Sequence, residues 1–420
     1  MRKDNIHDAD LAAFVGLDWA DQTHAFCLQE ADSPRLEHQQ LKQSPEALAA
    51  WVRELRHRFN GRNVAIALEQ SRGPLIHALM QYDFLVLYPI NPQTLCKYRK
   101  AFATSGAKSD PSDAALLLEL VRLHRDKLKA WKADDPQTRT LQLLVEGRRK
   151  LVNERTRLSN RLTCLLKGYF PQALDWCGSL TSRQGCDFLR RWPTLARLQR
   201  ARGATIEKFY KDHGSRKKEK LAQRIKEMGQ AEPLTRDAAI LRASQVMAAA
   251  LVAQMESLIT GLEEFDRQIE ELFEQHPDKE IFESFPGAGK ALGPRLIAAM
   301  GGDRERYESA SDIQQLSGIA PVSEQSGKSR RVRRRLSSPA FLKQTFHEYA
   351  QASLQWSKWA KAYYEQQRGK GKKHQAAVRA LAYKWIRIIY RCWKERTAYD
   401  EQKYLAALSK HQSSLASQVK

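Results

Sequence analysis

Two short apolar runs near the N-terminus each end in an acidic residue. The first run, residues 14–17, is followed by Asp18, and the second, residues 64–68, is followed by Glu69. Apolar and β-branched residues of this kind favour β-strands, whereas a carboxylate at the end of such a run lowers strand propensity and costs burial energy. Two cases in one region constrain the N-terminal part of the chain to a sheet whose strands end in acidic side chains.

A second pair of acidic residues opens a predicted helix. Asp110 and Asp113 are three residues apart, so on a helix both side chains point to one side. Taken alone, residues 109–113 are also a good helix start, with Asp110 as N-cap and Asp113 as a first-turn carboxylate favoured by the helix dipole. Beside Asp18 and Glu69, however, the four carboxylates favour a shared cation, which we predict to be Mg²⁺, and a phosphodiester substrate.

The chain carries a large excess of positive charge. Its 420 residues include 70 Lys and Arg against 48 Asp and Glu, a formal net charge of +22, which favours nucleic acid as a partner. The six cysteines lack zinc-type or disulfide spacing and predict free thiols in a reducing compartment. The N-terminus has no apolar signal segment, and no uncharged run approaches the roughly 18 residues of a membrane span. We therefore predict a cytoplasmic protein with no membrane partner.

Three regions differ in their sequence pattern. Residues 1–132 alternate strand-like and helix-like segments, which predicts an α/β domain. Residues 133–277 contain two long amphipathic stretches, which predict an antiparallel helical hairpin or a coiled-coil dimerisation arm. Residues 278–420 carry Trp and Tyr at helical spacing, which predicts a mainly α C-terminal domain.

A basic segment precedes the second acidic pair. It combines cationic side chains with an aromatic one, as in a loop that guides a nucleic-acid strand next to a metal site. The predicted contacts are Lys97, Arg99, Lys100 and Lys108. An ordinary basic surface loop would have the same composition.

The C-terminal region opens with a glycine turn. Gly287 and Gly289 precede Lys290 and an apolar helix, a pattern that resembles a helix-hairpin-helix element. Turns of that kind expose backbone N–H groups to a phosphate. Glycines between two helices are also common for structural reasons, so phosphate contact and a structural turn both stay open.

Ser326 is the candidate nucleophile. It lies beside Gly327 in a predicted loop, where a serine is sterically open. A cationic run follows it, suited to stabilising charge on an attacked phosphate or to contacting DNA. That run contains Lys328, Arg330, Arg331, Arg333 and Arg334. Serines beside glycine are usually turn formers, so the position alone leaves that alternative open.

Taken in order, these segments resemble the insertion-sequence-110 family of transposases, the DEDD recombinases of bacterial mobile elements. The resemblance covers nearly the whole chain. It rests on Val15-Gly16-Leu17-Asp18, Leu68-Glu69, Lys108-Ser109-Asp110-Pro111-Ser112-Asp113-Ala114, Pro286-Gly287-Ala288-Gly289, Gly318-Ile319-Ala320-Pro321 with Ser326-Gly327 five residues on, and Lys373-His374-Gln375-Ala376-Ala377-Val378-Arg379-Ala380.

The resemblance implies a RuvC-like, RNase H-type N-terminal domain in which Asp18, Glu69, Asp110 and Asp113 bind Mg²⁺. It also implies a C-terminal transposase domain in which Ser326 becomes covalently joined to DNA. Relatives of this type are guided by a structured RNA, encoded in the flank of the element, that pairs with donor and target DNA.

The chain departs from the family pattern after the serine. Many relatives have a glycine-rich stretch there, whereas this chain has the cationic run. Ser323 and Ser329 lie close to Ser326, so the nucleophile has two neighbours of the same type.

These features predict a DNA transposase that cleaves and rejoins strands through a phosphoserine intermediate. Its predicted partners are donor and target DNA, the element-encoded RNA and further copies of itself, as a dimer or as a tetramer on DNA. The first alternative is a hydrolytic RuvC-like nuclease, such as a junction resolvase, in which Ser326 is only a loop residue. The second is a basic architectural or RNA-binding protein without catalysis, which leaves Asp18 and Glu69 unexplained.

Overall fold

The computed structural model describes residues 11–69, 73–102, 109–327 and 329–411. The chain divides into two compact units, residues 1–133 and residues 134–420. The division into three domains at residues 132 and 277 stays a prediction.

The first unit is a mixed five-stranded sheet with helices on both faces. Its strands are β1 (Leu11–Asp18), β2 (Thr23–Glu30), β3 (Glu37–Lys42), β4 (Asn63–Leu68) and β5 (Leu85–Pro89), in the order β3-β2-β1-β4-β5. The helices are α1 (Pro45–Arg58), α2 (Pro74–Leu79), α3 (Pro92–Phe102) and α4 (Asp110–Leu123). β1 pairs antiparallel with β2 and parallel with β4, and β4 pairs parallel with β5. This α/β architecture fits the predicted RuvC-like domain.

The two faces of the sheet have separate cores. Because side chains alternate along a strand, neighbouring residues of β1 face opposite sides. Val15 and Leu17 pack with the apolar residues of α1 and α2. Phe14 packs on the other side, with Ala65 and Ala67 of β4 and with the apolar residues of α4. On the side of the sheet that carries α4, β4 therefore presents small residues.

Gly16 allows α4 to lie directly on β1. A Cβ atom at this position would stand 1.9 Å from the backbone oxygen of Ala114 and 2.3 Å from the backbone nitrogen of Leu118. Both obstacles are backbone atoms of one helix, which cannot move aside as a flexible side chain can. The absence of a side chain at Gly16 thus sets how close the start of α4 comes to the strand.

We expect Gly16→Ala to lower the free energy of unfolding by about 1–3 kcal/mol, since the added methyl group overpacks this contact. Chemical denaturation would measure the loss. Gly168→Ala is the control, because Gly168 lies in a helix and an added Cβ there would meet nothing within 4 Å. A Gly16→Ala protein as stable as wild type would contradict the close packing of α4.

The second unit is mainly helical. Its helices are α5 (Pro136–Tyr169), α6 (Ala173–Trp176), α7 (Arg183–Arg191), α8 (Leu195–Gln199), α9 (Gly203–Asp212), α10 (Lys218–Gln230), α11 (Ala238–Glu274), α12 (Lys279–Glu283), α13 (Gly289–Met300), α14 (Ala310–Leu316), α15 (Ala340–Ser353), α16 (Lys358–Gly369), α17 (His374–Glu395) and α18 (Glu401–Lys410). A two-stranded antiparallel hairpin, β6 (Val322–Ser326) and β7 (Ser329–Arg333), lies between α14 and α15.

The long helices α5 and α11 form an antiparallel pair. Gln137 near the start of α5 donates a hydrogen bond to the carbonyl of Leu272 near the end of α11, at 3.5 Å, and Arg148 pairs with Asp266. The predicted helical hairpin is present, whereas a coiled coil between chains stays a prediction. Helices α6–α10, which were not predicted, pack where α5 ends and α11 begins, around a core of their own.

A separate core surrounds α17 in the C-terminal part. Trp359, Trp385 and Trp393 are buried, and each indole N–H finds an acceptor at 2.8 Å. The acceptors are the Tyr399 hydroxyl, the Ser353 hydroxyl and the Gly301 carbonyl, respectively. Most of the aromatic residues at helical spacing therefore belong to a packed core, as predicted.

All six cysteines are free thiols, as predicted. Burial raises the pKa of Cys27, Cys177, Cys186 and Cys392 to about 11, so these thiols stay protonated at neutral pH. They act as small packing residues.

The first half of α11 is unusually apolar on its exposed side. Ile240, Val246 and Met247 all expose a large part of their surface. Within the described part of the chain, α11 is also the one helix long and apolar enough to cross a membrane by length and composition. One such helix is weak support for a membrane span, because long helices in soluble proteins meet the same criterion.

Candidate active site

Asp18 and Glu69 are neighbours across the sheet. Leu17 of β1 lies opposite Leu68 of β4 in a parallel pair, so the next residue of each strand continues the same register. Adjacent strands are about 4.8 Å apart, which places the two backbones side by side. Both residues are half-buried. The predicted strand-end positions of both carboxylates are therefore present.

Strand alternation directs the Asp18 carboxylate toward the side of α4. Gly16 faces α4, and Asp18 is two residues further along β1. Ala67 packs on the same side, and Glu69 is two residues beyond it along the chain. Side chains two apart on a strand share a face. Asp18 thus lies on the face on which α4 packs, and Glu69 directly follows the neighbouring strand.

The direction of α4 brings its N-terminus to the same end of the sheet. Ala114, near the start of α4, lies against Gly16. Near the other end of α4, Arg122 donates a hydrogen bond at 2.7 Å to Gln29, which pairs with Phe14. The helix therefore runs antiparallel to β1. Its first turn, with Asp110 and Asp113, lies toward the end of β1 where Asp18 stands.

The cap of α4 differs from the prediction. Ser109, and not Asp110, is the N-cap, and its hydroxyl accepts a hydrogen bond from the Ser112 N–H. Asp110 is the first helical residue and is exposed, whereas Asp113 is buried. Because Ser109 caps the N-terminus of α4, Asp110 is not needed for that role.

Asp113 forms a buried ion pair with Arg99. The Asp113 side chain is only 2 % exposed, and its Oδ1 lies 2.7 Å from Nε and 2.5 Å from a terminal guanidinium nitrogen of Arg99. Residues 92–102 form α3, so Lys97, Arg99 and Lys100 lie on a helix and not in the predicted loop. Lys97 and Lys100 are exposed, but Arg99 is turned inward. Lys108 lies outside the described residues.

These residues fit a divalent cation in the chemistry of their side chains. All four offer carboxylate oxygens, the donors that Mg²⁺ prefers, and they come from two adjacent strand ends and one helix start. Among the residues that the structure describes, no group of three or more His, Cys, Asp or Glu is gathered closely enough to form a ready-made metal cluster. In this structure the Asp113 carboxylate is paired with Arg99 instead.

We expect Arg99→Gln to destabilise the protein without metal by about 3–5 kcal/mol, since it leaves a buried carboxylate unpaired. Added Mg²⁺ should restore part of this loss if it binds the released carboxylate. Thermal unfolding in EDTA and in Mg²⁺ would measure both effects. Lys100→Gln, an exposed neighbour on α3, should change neither. Equal unfolding temperatures for the two variants would refute the role of the ion pair.

Ser326 lies at the end of the β6–β7 hairpin. It pairs with Ser329 across the turn, it is exposed, and Gly327 in the turn has a positive φ of 54°. The sequence predicts a loop at Ser326, but this prediction is wrong, because the residue is the last one of β6. A two-stranded ribbon holds the serine more rigidly than a loop does and presents it to solvent.

The cationic run belongs mostly to the same hairpin. Arg331 and Arg333 are exposed on β7, and Arg333 pairs with Glu324 on β6. Arg334 follows β7 and is exposed. Arg330 lies on β7, and Lys328 lies outside the described residues. The ribbon therefore carries positive charge beside Ser326, part of which Glu324 offsets.

Of the two glycines in the turn, Gly287 has a structural role. A Cβ at Gly287 would stand 2.8 Å from the Trp356 ring, and the residue has a positive φ of 79°. Gly289 is exposed with open space around it, and Lys290 pairs with Glu270. Close packing therefore explains Gly287, while the helix-hairpin-helix reading and phosphate contact by Gly289 and Lys290 stay predictions.

Comparison with known proteins finds similarity over most of the chain. A transposase family model of the DEDD, IS110 type matches residues 15–171, and a model described as the transposase IS116/IS110/IS902 family matches residues 279–365. The candidate transposase of the IS117 mini-circle of Streptomyces coelicolor is 28% identical over 405 residues, which is 95% of this chain and 98% of the relative. The 42 kDa protein of insertion element IS900 of Mycobacterium paratuberculosis is 27% identical, over 94% of this chain and 98% of the relative. The 44.8 kDa protein of insertion element IS116 of Streptomyces clavuligerus is 25% identical, over 92% and 96% respectively.

Proposed function

Because this chain belongs to the IS110 family of transposases, and is thus a DNA-cleaving recombinase, we propose that it cuts and rejoins DNA through a covalent bond to Ser326, with Mg²⁺ held by four carboxylates. The observation that supports this most is that two adjacent strand ends and the start of α4 lie at the same end of the sheet. We also propose that it works in the cytoplasm, where the DNA of a bacterial element lies.

Asp18, Glu69, Asp110 and Asp113 are the residues that would hold the cation. Bound Mg²⁺ would polarise the scissile phosphate and stabilise negative charge on the leaving 3′ oxygen. For Asp113 to bind the cation, its Oδ1 atom must separate from Arg99. The Arg99 guanidinium is then free to face a phosphate. The carboxylates are fixed by strands and a helix, which suits a site that must keep its geometry.

Ser326 would carry out the strand transfer. Its Oγ attacks phosphorus, a Ser–O–P bond forms, and the bond from phosphorus to the 3′ oxygen breaks. The serine loses its proton to solvent, and the departing oxygen takes one up to become a 3′-hydroxyl. In the second step, the 3′-hydroxyl of another strand attacks the same phosphorus and the serine is released. Each step exchanges one phosphoester for another, so no ATP is required.

We further propose that an RNA encoded in the flank of the element guides the protein to its sites. The support is the family membership, and the formal charge of +22 is compatible with a nucleic-acid partner of either kind. A steep salt dependence of binding to both RNA and DNA would agree with this. Equal recombination with and without the RNA would argue against it.

Self-association is proposed to use the apolar side of α11. Val246 is 70% exposed, and Ile240 and Met247 lie on nearby turns. We expect Val246→Glu to shift a dimer toward monomer, since a charge in an apolar contact between two chains loses hydration. Light scattering after gel filtration would report the mass. Gln254→Glu, an exposed polar position on the same helix, is the matched control. Unchanged mass in Val246→Glu would remove α11 from the interface.

The function is tested by incubating labelled element-junction DNA and target DNA with the protein, Mg²⁺ and RNA transcribed from the flank of the element. A denaturing gel should show a protein-linked DNA band and then joined product. Cleaved DNA with free 5′-phosphates and no linked band would instead support the hydrolytic nuclease. Binding without any cleavage would support the architectural alternative.

A further inference from the structure

Three cations meet beside the base of the β6–β7 hairpin. Arg334 follows β7, Lys343 lies on α15, and Arg379 lies on α17, which packs against α15. Lys343 points back to the chain that leaves the hairpin, since its Nζ lies 3.5 Å from the Leu336 carbonyl. The cluster thus joins the ribbon that carries Ser326 to the helical core.

No counter-ion explains this cluster within the described chain. None of the ion pairs among the described residues includes Arg334, Lys343 or Arg379. The nearby acidic residue of α15, Glu348, is held by Arg295 through a 2.5 Å contact and lies 3.7 Å from Arg149. Like charges that are close and uncompensated lower stability.

Burial and neighbouring positive charges lower the pKa values of Lys343 and Arg379. Burial, and then the positive charges of Arg334 and Arg379, lower the pKa of Lys343. Burial, and then the charge of Arg334, lower the pKa of Arg379. His347, one turn after Lys343, also has a pKa lowered by burial first, with further lowering from Arg379. Positive charges that are partly buried and close to one another are stabilised when an anion binds between them.

Two buried donors next to the cluster lack an acceptor among the described residues. They are Nε of Arg335 and the hydroxyl of Ser338. Buried polar atoms are nearly always hydrogen-bonded, so each orphan needs an explanation such as an absent anion or water. Both lie in the stretch between Arg334 and Lys343, which is the segment that would close around a bound phosphate.

Gly318 keeps the site compact. A Cβ there would stand 2.4 Å from the Ser338 hydroxyl and 2.9 Å from Cε of Lys343, and the residue has a positive φ of 70°. Only a glycine allows this turn to lie against both side chains. Gly318 and Arg379 belong to segments 318–321 and 373–380, to which the proposed chemistry assigns no role.

We propose that Arg334, Lys343 and Arg379 bind backbone phosphates of the DNA strand that Ser326 attacks. They are positioning residues, because they hold the strand and do not touch the reacting atoms. The inference rests on the proposed function for the identity of the strand, but the phosphate contact itself does not require cleavage. Binding would offset the mutual repulsion of the three cations, so the site is most stable when it is occupied.

The test uses the full-length Ser326→Ala protein, so that no strand is cut. Fluorescence anisotropy would follow labelled junction DNA, and separately the flank RNA, over a range of salt concentrations. Lys343→Gln and Arg379→Gln should each weaken DNA binding and reduce the slope of log K against log salt by about one. Arg391→Gln, on the exposed side of α17 and paired with Glu395, should leave the slope unchanged.

Thermal unfolding separates this role from a structural one. Removing a repelled cation should leave the unfolding temperature of Lys343→Gln equal to that of the Ser326→Ala parent, or raise it. An unchanged DNA slope in both variants overturns the proposal, and so does a loss confined to RNA. If the wild-type protein forms no DNA adduct but the slopes still fall, the proposed chemistry is wrong while the phosphate site stands.

Discussion

Ser326→Ala should abolish the protein-linked DNA band while leaving DNA binding intact. Removing a nucleophile from an assembled site costs about 10,000-fold or more in rate, so neither adduct nor joined product should be detectable. The exposed position of Ser326 at the end of β6 makes a folding defect unexpected, because the side chain packs against no core. A denaturing gel would measure the loss of the adduct, and fluorescence anisotropy would measure the retained DNA binding.

The hairpin supplies its own matched controls. Ser329 pairs directly with Ser326 across the turn and shares its face, whereas Ser323 is three residues away on β6 and faces the opposite side. We expect both Ser323→Ala and Ser329→Ala to retain the adduct. If Ser329→Ala loses the adduct and Ser326→Ala keeps it, the nucleophile is Ser329.

Apolar patterns predicted most of the sheet. β1 and β4 are continuous apolar strands, buried on both faces, and they stand out from the residues around them. β3 was not predicted, because its sequence EHQQLK is polar and mostly exposed at the edge of the sheet. The β6–β7 hairpin was predicted as a loop for the same reason, since VSEQS and SRRVR have no apolar face to bury.

The sequence identifies the acidic residues as candidates, but it does not predict which residues contact them. The strand ends of Asp18 and Glu69 follow from local pattern, and their adjacency follows once β1 and β4 pair in parallel. The ion pair between Arg99 and Asp113 depends on how α3 packs against α4, and no spacing rule connects residues 14 apart in two helices. The cluster around Lys343 likewise arises from three separate elements.

The helical arm shows a similar limit. The long amphipathic stretches predicted α5 and α11, but helices α6–α10 are short and separated by turns, so their apolar residues show no sustained period. Their core of Phe170, Phe188, Trp192 and Phe209 forms only when several of them meet. Tertiary contact, more than local propensity, produces this part of the fold.

Asp18→Asn should reduce cleavage and joining by about 100- to 1,000-fold, the scale expected when a group that stabilises charge in the transition state is removed. The substitution keeps the shape of the side chain and removes a negative charge, so it weakens the hold on a cation without disturbing β1. DNA binding should be retained or strengthened, because one repulsive charge near the phosphates is lost. The loss must therefore appear in rate and not in affinity for DNA.

Magnesium titration decides whether Asp18 acts through a cation. In Asp18→Asn the remaining three carboxylates should need a higher Mg²⁺ concentration for half-maximal cleavage, whereas a purely structural role would leave that concentration unchanged. Asp21→Asn is the matched control, because Asp21 is an exposed carboxylate in the turn after β1. Wild-type rates in Asp18→Asn would exclude it as a ligand. An identical loss in Asp21→Asn would mean that the charge of this end of the sheet, and not a specific ligand, controls cleavage.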